Sequence, residues 1–268
     1  MLAAVAGTLL LGGPGRPVLD AVGISPLLDG DRSAFSEALD VVPLESERLS
    51  FTNWSMVRNA LDTDLGQDPA PAAIEAMITQ AYDTDLSASS SIEDSAVALQ
   101  TYFGFSPATV EWEAYAQAPD GAAMVVRLPD DVDLDTVRDH LTEIGFTEPG
   151  SKNGVWDGGI DLIAALDGTL TPKLQYVAVL EDEHLVVTSE SHDYVQRAAD
   201  VALGKKKSLG DSDRARELVD SVDGPASAEF WVGDFACKDL AMRTAFEEDK
   251  AQAEALVQQA GKVSPPSG

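Results

Sequence analysis

One strand-to-helix phrase is written twice in this chain, and that repetition constrains the fold more than any other feature. "LSFTNWSMVRNAL" (residues 49–61) alternates apolar and polar residues through Leu49 and Phe51. It then meets Asn53, an N-cap residue, and changes to helical spacing through Trp54, Val57 and Leu61. "FWVGDFACKDLAM" (residues 230–242) follows the same order. Leu49 aligns with Phe230, Phe51 with Val232, Asn53 with Asp234, Trp54 with Phe235 and Ser55 with Ala236. Strand positions stay apolar, the cap stays Asn or Asp, and the first helical residue stays aromatic.

A second grammar lies between the two phrases. "TVEWEAYAQ" and "AAMVVRL" flank the turn "APDG", and the amphipathic helix "DVDLDTVRDHLTEIGF" follows, with Leu134, Val137, Leu141 and Ile144 on one face and Gly145 as its stop. The order then recurs. "KLQYVAVL" and "HLVVTSE" flank "EDE", and "SHDYVQRAADVAL" is a helix that ends at Gly204. Between the two units, "GVWDGGIDLIAAL" (154–166) reads as extended. Nearer the start, "AAIEAMITQAY" predicts a helix facing inward with Ile74, Met77, Ile78 and Tyr82, and "SIED" predicts a capping box with Ser91 as cap and Asp94 at the acidic position.

The expected fold is therefore α+β: an antiparallel sheet with helices on one face, built from duplicated strand–helix and ββα units. Residues 24–268 form the α+β domain, with related halves at about 41–204 and 208–268. In the first half Phe105-Ser106-Pro107 leads into a hairpin, whereas in the second Val263-Ser264-Pro265 is followed by only three residues. The second half is accordingly expected to be truncated, missing a hairpin and the helix after it.

Residues 1–23, "MLAAVAGTLLLGGPGRPVLDAVG", hold an apolar run from Leu2 to Leu11 broken by Gly12, Gly13, Pro14 and Gly15. The run has the length of a signal-peptide core and is too short to span a bilayer. It reads as the remnant of a signal peptide or signal anchor whose basic start lies upstream of Met1.

Charge narrows the partners. The formal net charge of −28 repels phosphate backbones and anionic lipid surfaces, so nucleic acid is not an expected partner. Contact with a membrane is expected only through the amino-terminal anchor. Cations, basic proteins and neutral ligands remain open. A single cysteine, Cys237, precludes an intrachain disulfide. It sits on the first turn of a helix, where a thiol pKa can fall, yet its aligned counterpart Met56 argues for packing.

No pattern assembles a catalytic site. His140, His184 and His192 are the only histidines, and neither a G-x-S-x-G elbow nor an S-x-x-K pair accompanies them. The candidate metal ligands are Asp131, Asp133, Asp135 and Asp139, which match positions 1, 3, 5 and 9 of an EF-hand loop. Thr136 stands where the loop needs Gly and Thr142 where it needs a bidentate Glu. The cluster therefore reads as acidic residues favouring a helix N-terminus, and no metal or cofactor is expected. "DTDLGQD" (62–68) is a second oxygen-rich loop of the same kind. Trp54, Trp112, Trp156 and Trp231 fall in or beside strands and read as core. The last helix carries Phe246, Ala253, Leu256, Val257 and Ala260 as a stripe for the sheet or a partner.

Taken in order, "VPLESERLSFTNW", "FGFSPATVEWEAYAQ", "GVWDGG", "LTPKLQYVAVLEDEHLVVTSESHDYV" and "FACKDLAM" give the chain a resemblance to uncharacterised exported or membrane-anchored proteins of actinobacteria, over roughly residues 41–268. The resemblance implies an extracytoplasmic location, secreted or membrane-anchored, and supplies no site residues. The expected function is a non-enzymatic binding or scaffolding protein of a bacterial envelope, with an envelope protein or a neutral ligand as partner. The alternative is an envelope hydrolase using carboxylates and a divalent cation.

Overall fold

The computed structural model describes residues 32–232, the backbone of residues 3–6, and residues 251, 252 and 255. In chain order its elements are β1 (Ala3–Ala6), α1 (Ala34–Val41), β2 (Arg48–Asn53), α2 (Trp54–Ala60), α3 (Pro71–Asp83), α4 (Ala96–Phe103), β3 (Trp112–Ala118) and β4 (Gly121–Arg127). There follow α5 (Asp135–Ile144), β5 (Val155–Asp157), α6 (Gly159–Leu166), β6 (Tyr176–Leu180), β7 (Leu185–Ser189), α7 (His192–Ala202), α8 (Asp213–Asp220) and β8 (Ser227–Trp231). The strands make one antiparallel sheet in the order β1-β8-β2-β3-β4-β7-β6-β5. The protein is α+β.

Local chemistry starts the helices where the caps stand. Asn53 Oδ1 accepts from the Met56 N–H at 3.0 Å, so β2 turns directly into α2. Ser191 Oγ does the same for α7, accepting from Tyr194 N at 3.3 Å. Gly145 closes α5 in the left-handed region at φ 97°, where a Cβ would be strained.

The helices cover both faces of the sheet, not one. The row Val155–Ala178–Val187–Val125–Ala114–Phe51–Ala228 runs across seven strands and packs under α1, α7 and α8. One residue along each strand, the row Trp156–Val177–Thr188–Met124–Tyr115–Ser50–Glu229 lies on the opposite face. The apolar part of that face packs under α2 to α6. The physical reason is in the central strands. Ala123 to Val126 in β4 and Leu185 to Ser189 in β7 are buried at every position, which requires cover on two sides.

The two ββα units exist as β3–β4–α5 and β6–β7–α7, and their inner strands pair through Val125 and Val187. Their helices lie on opposite faces. The strand parts of the two similar phrases lie side by side, with Leu49 and Phe230 direct partners in the β2–β8 ladder. On its other side β8 pairs with β1, which falls within the stretch read as a leader. The final helical stripe, Cys237 and Val263-Ser264-Pro265 lie outside the described residues.

Two local expectations are corrected. Residues 159–166 are helical, because Gly158 and Gly159 end β5 and the following Leu and Ala residues favour a helix whose inner residue is Ile163. The inner face of α3 is Ile74, Met77 and Ala81, not Ile74, Met77, Ile78 and Tyr82. That rotation leaves Tyr82 71% exposed and Ile78 half-buried.

Candidate functional site

The chemically unusual group is Glu113, on β3, which is fully buried. Its carboxylate is satisfied entirely by this chain. Trp54 Nε1 donates to Oε1 at 3.2 Å, and Ser90 Oγ donates to the same oxygen. Ser91 Oγ donates to Oε2 at 2.9 Å, and the Ser91 N–H reaches both oxygens at 3.2 Å. Ser90 Oγ in turn accepts from the N–H groups of Ile92 and Glu93, each at 3.1 Å. Ser90, rather than Ser91, therefore holds the turn, and Asp94 makes no capping box because Ser91 is occupied by Glu113.

Lys173 completes this cluster from a 3₁₀ turn at Pro172–Leu174. Its Nζ donates to the Ser91 carbonyl and stands 5.4 Å from the Tyr115 ring centroid. Burial pushes the Glu113 carboxyl above its ordinary range and the Lys173 ammonium below its own, and the attraction between them offsets part of each shift. A closed carboxylate whose lone pairs are all engaged fastens a loop. It has no oxygen free for a substrate.

The outer side of the same loop is open. Glu93 and Asp94 stand on the rim of a cavity of about 380 Å³ between α3 and α4. Its floor is Ile74, Ile78, Val97 and Tyr102, and the rest of its charged rim is Glu75 and Asp167. Every charged residue lining it is acidic. Burial, followed by the neighbouring Asp94, raises the Glu93 carboxyl above the ordinary range. Glu93 Oε2 is itself buried, and the neighbouring Ser87 hydroxyl offsets part of that rise. A second cavity of about 450 Å³ shares Ile74, Val97 and Thr101 with the first, so the concavity continues along α4 towards Gln100 and His140.

The carboxylates singled out from the sequence do not converge. Asp131, Asp133, Asp135 and Asp139 are all exposed at the start and along the outside of α5. Asp133 Oδ1 accepts from the Asp135 N–H at 2.9 Å, and Asp135 is paired with Arg138 at 2.6 Å. Among the described residues no three His, Cys, Asp or Glu side chains form a metal-ligand group. In "DTDLGQD" Asp64 Oδ1 accepts from the Gly66 N–H at 3.0 Å, a turn contact.

The histidines serve three separate places. His140 lies against Gly104, His184 occupies the β6–β7 turn at φ 50°, and His192 begins α7 with its ring edge-on to Tyr176. Trp54, Trp112 and Trp156 are core residues, whereas Trp231 is half-buried on β8. Glu113 and Lys173 carried no motif. The available signal was a carboxylate set inside a strand, since the serine donors stand 22 and 23 positions earlier in the chain.

No protein-family model, characterised protein sequence or solved structure matches this chain. The site is therefore read from its own geometry.

Proposed function

We propose that this chain is a non-enzymatic binding or scaffolding protein of a bacterial envelope, acting outside the cytoplasm and meeting a membrane only through an amino-terminal anchor. The observation that carries the reading is the open groove between α3 and α4, with its apolar floor and uniformly acidic rim. Such a surface recognises a partner by burial and by charge. Glu113 supports it from behind by fastening the loop that presents Glu93 and Asp94. The alternative, an envelope hydrolase using Asp131, Asp133, Asp135 and Asp139, has less behind it: Asp133 and Asp135 are already engaged, and the four point to solvent. The extracytoplasmic location rests on the apolar start and on the resemblance to exported actinobacterial proteins.

Photo-crosslinking in the cell of origin tests this. A photoreactive residue at Ile78 is expected to give discrete envelope adducts, while one at exposed Glu217 on α8 gives none. Recovery of the protein only from the cytoplasm, or identical patterns from both positions, overturns the reading.

A further inference from the structure

We infer that the α3–α4 groove docks a cationic amphipathic helix, laying its apolar face on Ile78, Val97 and Tyr102 and its lysines or arginines against Glu75, Glu93, Asp94 and Asp167. The inference rests on the binding reading above and names the class of partner.

Three observations lead to this occupant. First, the shape is a valley between two packed helices, and α3 has turned its inner face to Ile74, Met77 and Ala81. That leaves Ile78 half-buried in the floor of the valley and Tyr82, one turn further, exposed beside it. Second, every charged side chain at the valley is acidic, so an apolar partner of neutral or negative charge would bury carboxylates without compensation. Third, Glu75 and Asp94 on the rim are exposed and carry no ion pair among the described residues, so an ammonium or guanidinium there gains a charge-assisted bond without displacing a partner within this chain.

The same charge argument removes the competing occupants. A second copy of this chain brings a formal charge of −28 against an acidic rim. Nucleic acid and anionic lipid are repelled for the same reason. A small polycation such as spermidine satisfies the rim but leaves Ile78, Val97, Tyr102 and Tyr82 uncovered.

The test uses the full chain and four probes: a fluorescent leucine–lysine amphipathic helix, a scrambled peptide of identical composition, a leucine–glutamate counterpart, and spermidine as competitor. The leucine–lysine helix is expected to bind and to weaken with added salt. The scrambled peptide should bind at least about tenfold more weakly, and the glutamate peptide not at all. Ile78→Ala and Asp94→Lys should each weaken binding about tenfold or more, Asp94→Lys with an unchanged melting curve, while Glu217→Lys on α8 changes nothing. Equal binding of the scrambled peptide, or equal effects of Asp94→Lys and Glu217→Lys, would show only diffuse charge attraction and overturn the inference. Displacement of the peptide by spermidine at matched concentration overturns it in favour of a small-cation site. If no peptide binds yet Ile78 still crosslinks in the cell, the partner class is wrong and the groove reading stands. If both experiments fail, both readings fall.

Discussion

Trp54 and Glu113 meet inside the protein, the indole Nε1 donating to Glu113 Oε1 at 3.2 Å with neither side chain exposed. The contact joins the first residue of α2 to the second residue of β3, so a polar pair fastens a helix to the sheet.

Replacing Glu113 by Ala should therefore be severe. It strands the Trp54 Nε1–H and the Ser91 N–H in the interior, and a loss of about 3 kcal/mol or more is expected in urea unfolding. Glu113→Gln should cost far less. Its amide oxygen can take the place of Oε1, and its amide nitrogen can donate to Ser91 Oγ. Equal losses for the two variants would refute this account of the cluster.

The same pair of proteins gives a pH prediction. Glu113 holds its proton to higher pH in the folded chain than in the unfolded one, because burial penalises its charge. Its contribution to stability is thus full below the ordinary carboxylate range and is lost as pH rises through the elevated folded value. The difference in unfolding free energy between Glu113→Gln and wild type should shift in favour of Gln over that window and level off above it. Lys173→Met should move the Glu113 titration further upward, since Lys173 favours its charged form. Carboxylate isotope-edited infrared spectroscopy reads both.

Gly104 and His140 offer a cycle that separates backbone strain from crowding. Gly104 ends α4 at φ 76°, and a Cβ there would lie 2.7 Å from His140 Cδ2. Gly104→Ala should cost about 1–2 kcal/mol from the left-handed backbone alone, plus a crowding term. Combining it with His140→Ala should return the crowding term and leave the backbone cost.

Millimolar calcium should leave the melting temperature essentially unchanged. A ligand at a hundred times its dissociation constant would add about 2.7 kcal/mol. Asp133 and Asp135 are already engaged by the Asp135 N–H and by Arg138. A calcium-dependent rise abolished by Asp131→Asn would reverse this reading.

Much of the fold was legible because strand, cap and stop residues act locally. Asn53, Ser191 and Gly145 do what their side chains, or the lack of one, allow in any chain. What escaped was non-local. Whether helices cover one sheet face or two depends on which strands end up central, and only the unbroken apolar runs of β4 and β7 hinted at it. Tyr82 and Ile78 fit helical spacing as well as Ala81 does, so the burial of α3 was decided by the volume available against α4. The groove follows from that choice. Glu113 was hidden for a similar reason: one acidic residue in an alternating strand looks solvent-facing until a serine loop from elsewhere closes over it.

Arg48 and Glu229 are bonded at 2.9 Å across the β2–β8 ladder, although 181 positions separate them. In a chain emerging from a ribosome, β2 finds β3 and β4 early, but its other edge stays bare until residues 227–231 have been made. Closing that seam brings together strands separated by most of the polypeptide, which slows the last step of assembly. During the wait the exposed rim of β2 is a template for other nascent chains, so yield should fall with expression rate before it falls with temperature.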